Sequence, residues 1–256
     1  MPTNYNLIHD RIHHDLTFLQ VEPAGDTSPQ PSPLKGEGAT EPPLVIVLHG
    51  LRSIKENYLK TSYRFAQRGF RAVAMDLRQH GERDHAGDRD AHLEAAYVPT
   101  MLAIIEKSVA DIGAVIDHFG AAKAAIHGVS LGGIITFAAL LAEPRLTVAA
   151  VAMGTPDWAG MLKTIGLTPE HPQFAFIEAA SPLARATAIA PRPLLMLHGT
   201  VDETVPVNGV RKLRQKLAPL YAETPERLEL VEYEELGHHY TDDMIHRSVD
   251  WVEHFL

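Results

Sequence analysis

From Leu44 onward, apolar runs of strand length alternate with amphipathic stretches of helix length. Strands buried on both faces are continuously apolar, so this alternation predicts a parallel sheet covered by helices on both sides. Strands are predicted at Leu44 to Leu48, Arg71 to Met75, Ala124 to His127, Thr147 to Ala152, Pro193 to Leu197 and Leu228 to Tyr233. Helices are predicted at approximately Lys55 to Arg68, Met101 to Phe119, Leu131 to Ala142, Asn208 to Ala222 and Thr241 to Phe255. Upstream, Leu16 to Val21 alternates weakly and predicts a strand, paired in a hairpin with Asn6 to Asp10 across a turn near Arg11 to His14. Both are expected at the sheet edge. The expected class is α/β: a mostly parallel, doubly wound sheet of about eight strands with helices on both faces.

Residues 22–43 are rich in proline and have no hydrophobic period, which predicts a flexible loop. Two crossovers are longer than packing requires. One is Asp76 to Pro99, rich in His, Asp and Arg; the other is residues 154–190, with Trp158, Phe174 and Phe176. Ligands in open α/β sheets bind beyond the carboxyl ends of the strands, where both segments would emerge.

At 256 residues, with 45% hydrophobic and 21% charged residues, the chain is expected to fold as a single domain, residues 1–256. A net charge of -9 without any basic run argues against nucleic acid as a partner. No stretch reaches the apolar length of a membrane span, and Met1 to Asp15 is polar and His-rich rather than signal-like, so a cytoplasmic location is expected. The absence of cysteine removes thiol nucleophiles and disulfides. Nucleophilic chemistry therefore needs another residue.

Gly128-Val129-Ser130-Leu131-Gly132 follows an apolar strand and opens a helical run. Small residues around a serine in that context allow a tight strand-to-helix turn that exposes its hydroxyl. The bland alternative is a helix-capping serine, since the pentapeptide arises by chance in roughly one chain in fifteen of this length. A serine nucleophile also needs a base and a group to orient that base. Asp202 follows the strand ending near Leu197, and His238 follows the next strand. The third requirement is a pair of backbone N–H groups for the developing oxyanion. Leu48-His49-Gly50-Leu51-Arg52 directly follows a buried strand, so the N–H of Leu51 could pair with that of Leu131.

These segments, with Asp76 to Arg83 and His198 to Pro206, resemble the α/β-hydrolase superfamily. They are most similar to its prolyl-oligopeptidase-like and dienelactone-hydrolase-like serine esterases. The resemblance spans roughly Pro43 to Leu256 and implies Ser130, Asp202 and His238 as catalytic triad, Leu51 and Leu131 as oxyanion donors, and a small lid after the strand ending near Ala152. Here the nucleophile is serine where dienelactone hydrolases use cysteine, and the prolyl-oligopeptidase propeller is missing. The implied activity is carboxylesterase-like, on a small-molecule ester, with no cofactor and no metal.

His239 is an alternative base and Asp157 an alternative acid. Trp158, Met161 and Phe174 are candidate substrate-binding residues, together with Leu162, Ile165 and Phe176, although all could be ordinary contacts of a helical cap. His80, Asp84, His85, Asp88, Asp90 and His92 offer metal-ligand chemistry without a recognisable ligand spacing, which favours a solvated loop. Amide or short-peptide hydrolysis by the same residues remains open, as does a non-catalytic binding protein on this fold.

Overall fold

The computed structural model describes residues 5–12, 16–24, 41–164, 166, 168–171 and 173–256. Among these, eight strands form one sheet: β1 Tyr5–Ile12, β2 Leu16–Pro23, β3 Leu44–Leu48, β4 Arg71–Met75, β5 Ala124–Val129, β6 Leu146–Ala152, β7 Leu194–Gly199 and β8 Leu228–Tyr233. Their order is β1-β2-β4-β3-β5-β6-β7-β8. β2 runs antiparallel to β1 and to β4, and every pair from β4 to β8 is parallel. The helices are α1 Leu59–Ala66, α2 Arg89–Ala95, α3 Tyr97–His118, α4 Leu131–Ala142, α5 Trp158–Thr164, α6 Phe174–Ala180, α7 Asn208–Leu217 and α8 Asp242–Phe255. Among the described residues no helix is long and apolar enough to cross a membrane.

The pleat divides each strand between two cores, since successive side chains point to opposite faces. In β3, Leu44, Ile46 and Leu48 join the core beneath α3, α4 and α7, whereas Val45 and Val47 join the core beneath α1 and α8. Both faces of the interior strands are covered, which explains why β3 to β7 read as mostly apolar runs, whereas β1 and β8 at the edges are partly exposed. α4 is buried along most of its length, consistent with its lack of a polar face.

The structure corrects several expectations. β2 is not an edge strand: it is buried from Leu16 to Val21 and lies between β1 and β4, leaving β1 as the edge. Helix α3 begins at Tyr97, ahead of Met101, because Pro99 lies in the first turn, where the missing N–H has no intrahelical role. The Asp76 to Pro99 segment also contains α2, which has no apolar period to announce it. The helix expected from Lys55 opens instead as a 3-10 turn, Lys55–Tyr58, whose first N–H donates to the Asp76 carboxylate. α7 stops at Leu217, two residues before Pro219, and Ala218–Tyr221 continues as a 3-10 turn. Residues 25–40 of the proline-rich stretch, and the turn residues His13 to Asp15, lie outside the described residues.

Helix α8 follows directly on the loop that carries His238 and is capped by Thr241, whose side chain accepts the Met244 N–H at 3.3 Å. Thr241→Ala is expected to lower the unfolding free energy by about 1 kcal/mol. The measurement is a urea titration, in which the midpoint falls while the slope stays constant.

Candidate active site

The parallel register brings the carboxyl ends of three neighbouring strands level. Leu48 of β3 pairs with Gly128 of β5, and Val129 of β5 pairs with Ala152 of β6. Ser130 is the next residue, at φ 55 and ψ -114, a conformation that costs a non-glycine residue about 1–3 kcal/mol. Its N–H donates to Ala152 O at 2.9 Å, and its carbonyl accepts from Ile134 N at 2.9 Å, so strand and helix hold the turn from both sides. A Cβ on Gly128 would sit 2.3 Å from Gly132 O, and one on Gly132 would sit 2.5 Å from Leu48 O. Neither position admits a side chain without moving backbone.

The Ser130 hydroxyl lies 2.9 Å from His238 Nε2, and His238 Nδ1 lies 2.7 Å from Asp202 Oδ2. The other Asp202 oxygen accepts the N–H groups of Thr204 at 3.0 Å and Val205 at 2.9 Å. Burial alone would raise the Asp202 pKa. The imidazoles of His198 and His238 and the Val205 N–H outweigh it and hold the carboxyl below the usual carboxylate range. His198 is itself pinned, with Nε2 donating to Val205 O at 2.6 Å. His239 is exposed, so of the two adjacent histidines it is His238 that bridges Ser130 and Asp202. Asp157 is engaged elsewhere, accepting from Lys212 Nζ at 2.6 Å and from Gly160 N–H at 2.8 Å.

Leu131 is the first residue of α4, where an N–H has no acceptor within the helix. Leu51 lies in a tight turn closed by Ser53 N–H on Gly50 O at 3.2 Å, with Arg52 at φ 61. That turn presses on the serine: a Cβ on Gly50 would come 3.4 Å from Ser130 Cβ. His49 anchors it from below. The Leu77 N–H donates to His49 Nε2 at 3.0 Å, which puts the ring proton on Nδ1, and Nδ1 donates to Gly50 O at 2.8 Å. Burial lowers the His49 pKa to about 4.

The sequence model of the α/β hydrolase fold matches residues 43–170, half of the chain. The chain belongs to the α/β-hydrolase fold family. It is 30% identical over 233 residues to the putative esterase YitV of Bacillus subtilis, covering 84% of this chain and 89% of that one. It is 26% identical over 198 residues to the esterase YjfP of Escherichia coli, covering 72% and 78%. Among solved structures it resembles TT1662 from Thermus thermophilus, with a TM-score of 0.72, 25% identity and coverage of 97% and 98%.

Several groups that support the site of this α/β hydrolase escaped the sequence reading. The Tyr58 hydroxyl accepts the Gly50 N–H at 3.2 Å, and its ring stacks on Tyr240 with centroids 6.0 Å apart. Tyr240, two residues after His238, shares a 2.7 Å hydrogen bond with His127 Nε2 on β5. An aromatic and imidazole stack thus joins the turn bearing Leu51, the His238 loop and β5. The only signal for it was a lone histidine in an otherwise apolar strand. Deeper in the fold, fully buried Lys55 donates to Asp76 at 2.7 Å and to Glu82 at 2.6 Å.

The His/Asp-rich segment is occupied with its own loop: Asp84 accepts from the Asp88 and Arg89 N–H groups, and Asp90 pairs with Arg52 and Arg89. Among the described residues, ligand atoms of His9, Glu56 and Glu82 come within 4.8 Å of one another, but Lys55 Nζ already sits 2.6 Å from Glu82 and 3.0 Å from Glu56.

Trp158 and Met161 line a small apolar hollow between α3 and α5, together with Leu162. Phe174 does not line it; it is buried under Lys163, whose ammonium lies 5.4 Å from the ring centre. Phe176 is 67% exposed and faces a neighbouring groove, and Ile165 lies outside the described residues.

Burial holds the pKa of both His49 and His127 near 4 in the folded chain, against about 6.5 unfolded. Between those values the unfolded state binds more protons, so stability is complete above about pH 6.5 and falls as the pH drops toward 4. Urea unfolding across that window is expected to reveal uptake of up to about two protons from this pair. His127→Gln is expected to remove one of them.

Proposed function

We propose that this α/β hydrolase cleaves small carboxylic esters through an acyl-enzyme, with Ser130 as nucleophile, His238 as general base and acid, and Asp202 as the group that orients the imidazole. The observation that carries the reading is the unbroken pair of hydrogen bonds, 2.9 Å from Ser130 Oγ to His238 Nε2 and 2.7 Å from His238 Nδ1 to Asp202, ending on a serine in a strained turn. The esterase names of YitV and YjfP favour an alcohol over an amine as leaving group.

In the first half, Ser130 Oγ attacks the ester carbonyl carbon while His238 Nε2 takes its proton. The carbonyl electrons move onto oxygen, where the N–H groups of Leu51 and Leu131 donate hydrogen bonds. Collapse breaks the bond to the leaving oxygen, and the imidazolium returns its proton to the departing alcohol. In the second half, His238 deprotonates a water that attacks the acyl carbon. Collapse then releases the acid, and Ser130 recovers its proton. Asp202 stays ionised throughout because its neighbours hold its pKa low, and it stabilises the imidazolium at both steps. The scheme consumes one water and needs no cofactor.

Ser130→Ala is expected to lower kcat on p-nitrophenyl acetate by at least about 10³-fold and to abolish labelling by a fluorophosphonate. Asp202→Asn is expected to cost on the order of 10⁴-fold, through loss of the correct tautomer. Asp157→Asn, which breaks only the Lys212 pair, leaves kcat at the wild-type level. A folded wild type that neither hydrolyses the ester nor labels refutes the reading; turnover of p-nitroanilides with inert esters replaces it with an amidase.

A further inference from the structure

An apolar hollow and a mostly apolar groove, the latter with Glu106 and Arg185 in its lining, lie side by side between α3 and the α5–α6 insertion. The inner hollow is bounded by Tyr97, Ile134 and Met161, and the outer groove by Ala138, Leu141 and Phe176. The inner one lies against α4 a turn from the candidate site, and Ser130, His238, Leu51 and Leu131 do not line it. Ile134 is one turn below Ser130, its N–H bonded to the Ser130 carbonyl, and Tyr97 and Leu51 both pack against the core that contains Ile134 and Trp158. The volume of the inner hollow is about 30 Å³, and the outer groove offers about 510 Å³. A space of the inner size holds about two waters.

Three side chains line both spaces: Leu102 and Ile105 on α3, and Trp158 on α5. Trp158 is the largest of them and the one supplied by the insertion. Its backbone is fixed, with the N–H donating to Ser181 Oγ at 3.2 Å and Leu183 N–H closing on Pro156 O at 3.0 Å. Among the described residues its indole Nε1 has no hydrogen-bond partner, and the ring is held by packing.

We infer that Trp158 is the specificity-determining partition of the acyl site: it closes the inner hollow to a short acyl chain, and behind it the outer groove is a latent subsite for a longer one. This rests on the esterase reading above. The substrate class is esters of acids with about two to four carbons, the length that a space of about two waters admits. Removing the indole joins the two spaces, and the acyl chain then runs from Ser130 past Ile134 along α3.

The test is a chain-length series of p-nitrophenyl esters, from acetate to decanoate, on wild type, Trp158→Leu, Trp158→Ala and the double variant Trp158→Ala with Ala138→Trp, which refills the outer groove. Wild type is expected to favour the two- to four-carbon esters, acetate and butyrate alike, over longer ones. The single variants are expected to gain tenfold or more in kcat/KM on octanoate, about what two extra buried methylenes supply, while acetate turnover persists. The double variant returns to the short-chain profile. Wild type that turns over octanoate as well as acetate, or folded and fluorophosphonate-labelled Trp158 variants with an unchanged profile, overturns the partition. A second readout is independent of turnover: decanoate binding by calorimetry to Ser130→Ala, with and without Trp158→Ala. Absence of labelling in the wild type removes the esterase reading, and the calorimetry then decides the partition alone, with tenfold tighter binding sustaining it and equal binding overturning it.

Discussion

Everything at the carboxyl end of this sheet depends on how closely β5 and α4 can be pressed together. Ser130 occupies a backbone conformation that side chains disfavour, and it is held there by hydrogen bonds running into β6 on one side and α4 on the other. The approach is possible because Gly128, Gly132, Gly133 and Gly154 meet backbone where a Cβ would stand. The strain is therefore offset by the two-sided burial of the sheet, and the hydroxyl is presented at the crest of the turn.

A second layer of order is polar and buried. The turn bearing Leu51 rests on neutral His49, which bonds to Leu77 and Gly50, and on the hydroxyl of Tyr58. Beneath it, Asp76 collects Lys55, the Lys55 N–H, Thr17 and the Glu82 N–H. A carboxylate and an ammonium buried this deeply persist only because each is paired and hydrogen-bonded, and losing either partner would strand a charge. Hydrogen bonds that Lys55 donates to Asp76, Glu82 and Glu56 outweigh the opposing effect of burial and raise the Lys55 pKa, so the ammonium stays charged at neutral pH. Rigidity of the turn thus comes from groups that never touch the serine.

The parts legible in the sequence were those with a local signature. The interior strands β3 to β7 announced themselves as apolar runs because both of their faces are covered, and β8 by its alternation, LELVEY, at the partly exposed edge. Ser130 was marked by its glycines, and Asp202 and His238 by their positions after strands. Less legible were features decided by tertiary contact. β2 is an interior strand because β4 pairs with it, and β4 lies some fifty residues further along the chain. The Tyr58–Tyr240–His127 stack joins positions with no fixed spacing, and α2 is a short surface helix without an apolar stripe. Phe174 and Phe176 differ by two positions, just over half a turn of α6, so one is buried and the other is exposed.

Ser130 and His238 are separated by 108 positions and Asp202 from His238 by 36. During synthesis Ser130 is therefore made before His238, whose loop follows β8, the strand paired with β7. Non-local parallel pairing of this kind is slow relative to helix formation. A partly made or partly folded chain thus carries Ser130 without His238 beside it, and the hydrogen-bonded line doubles as a proof of completed assembly.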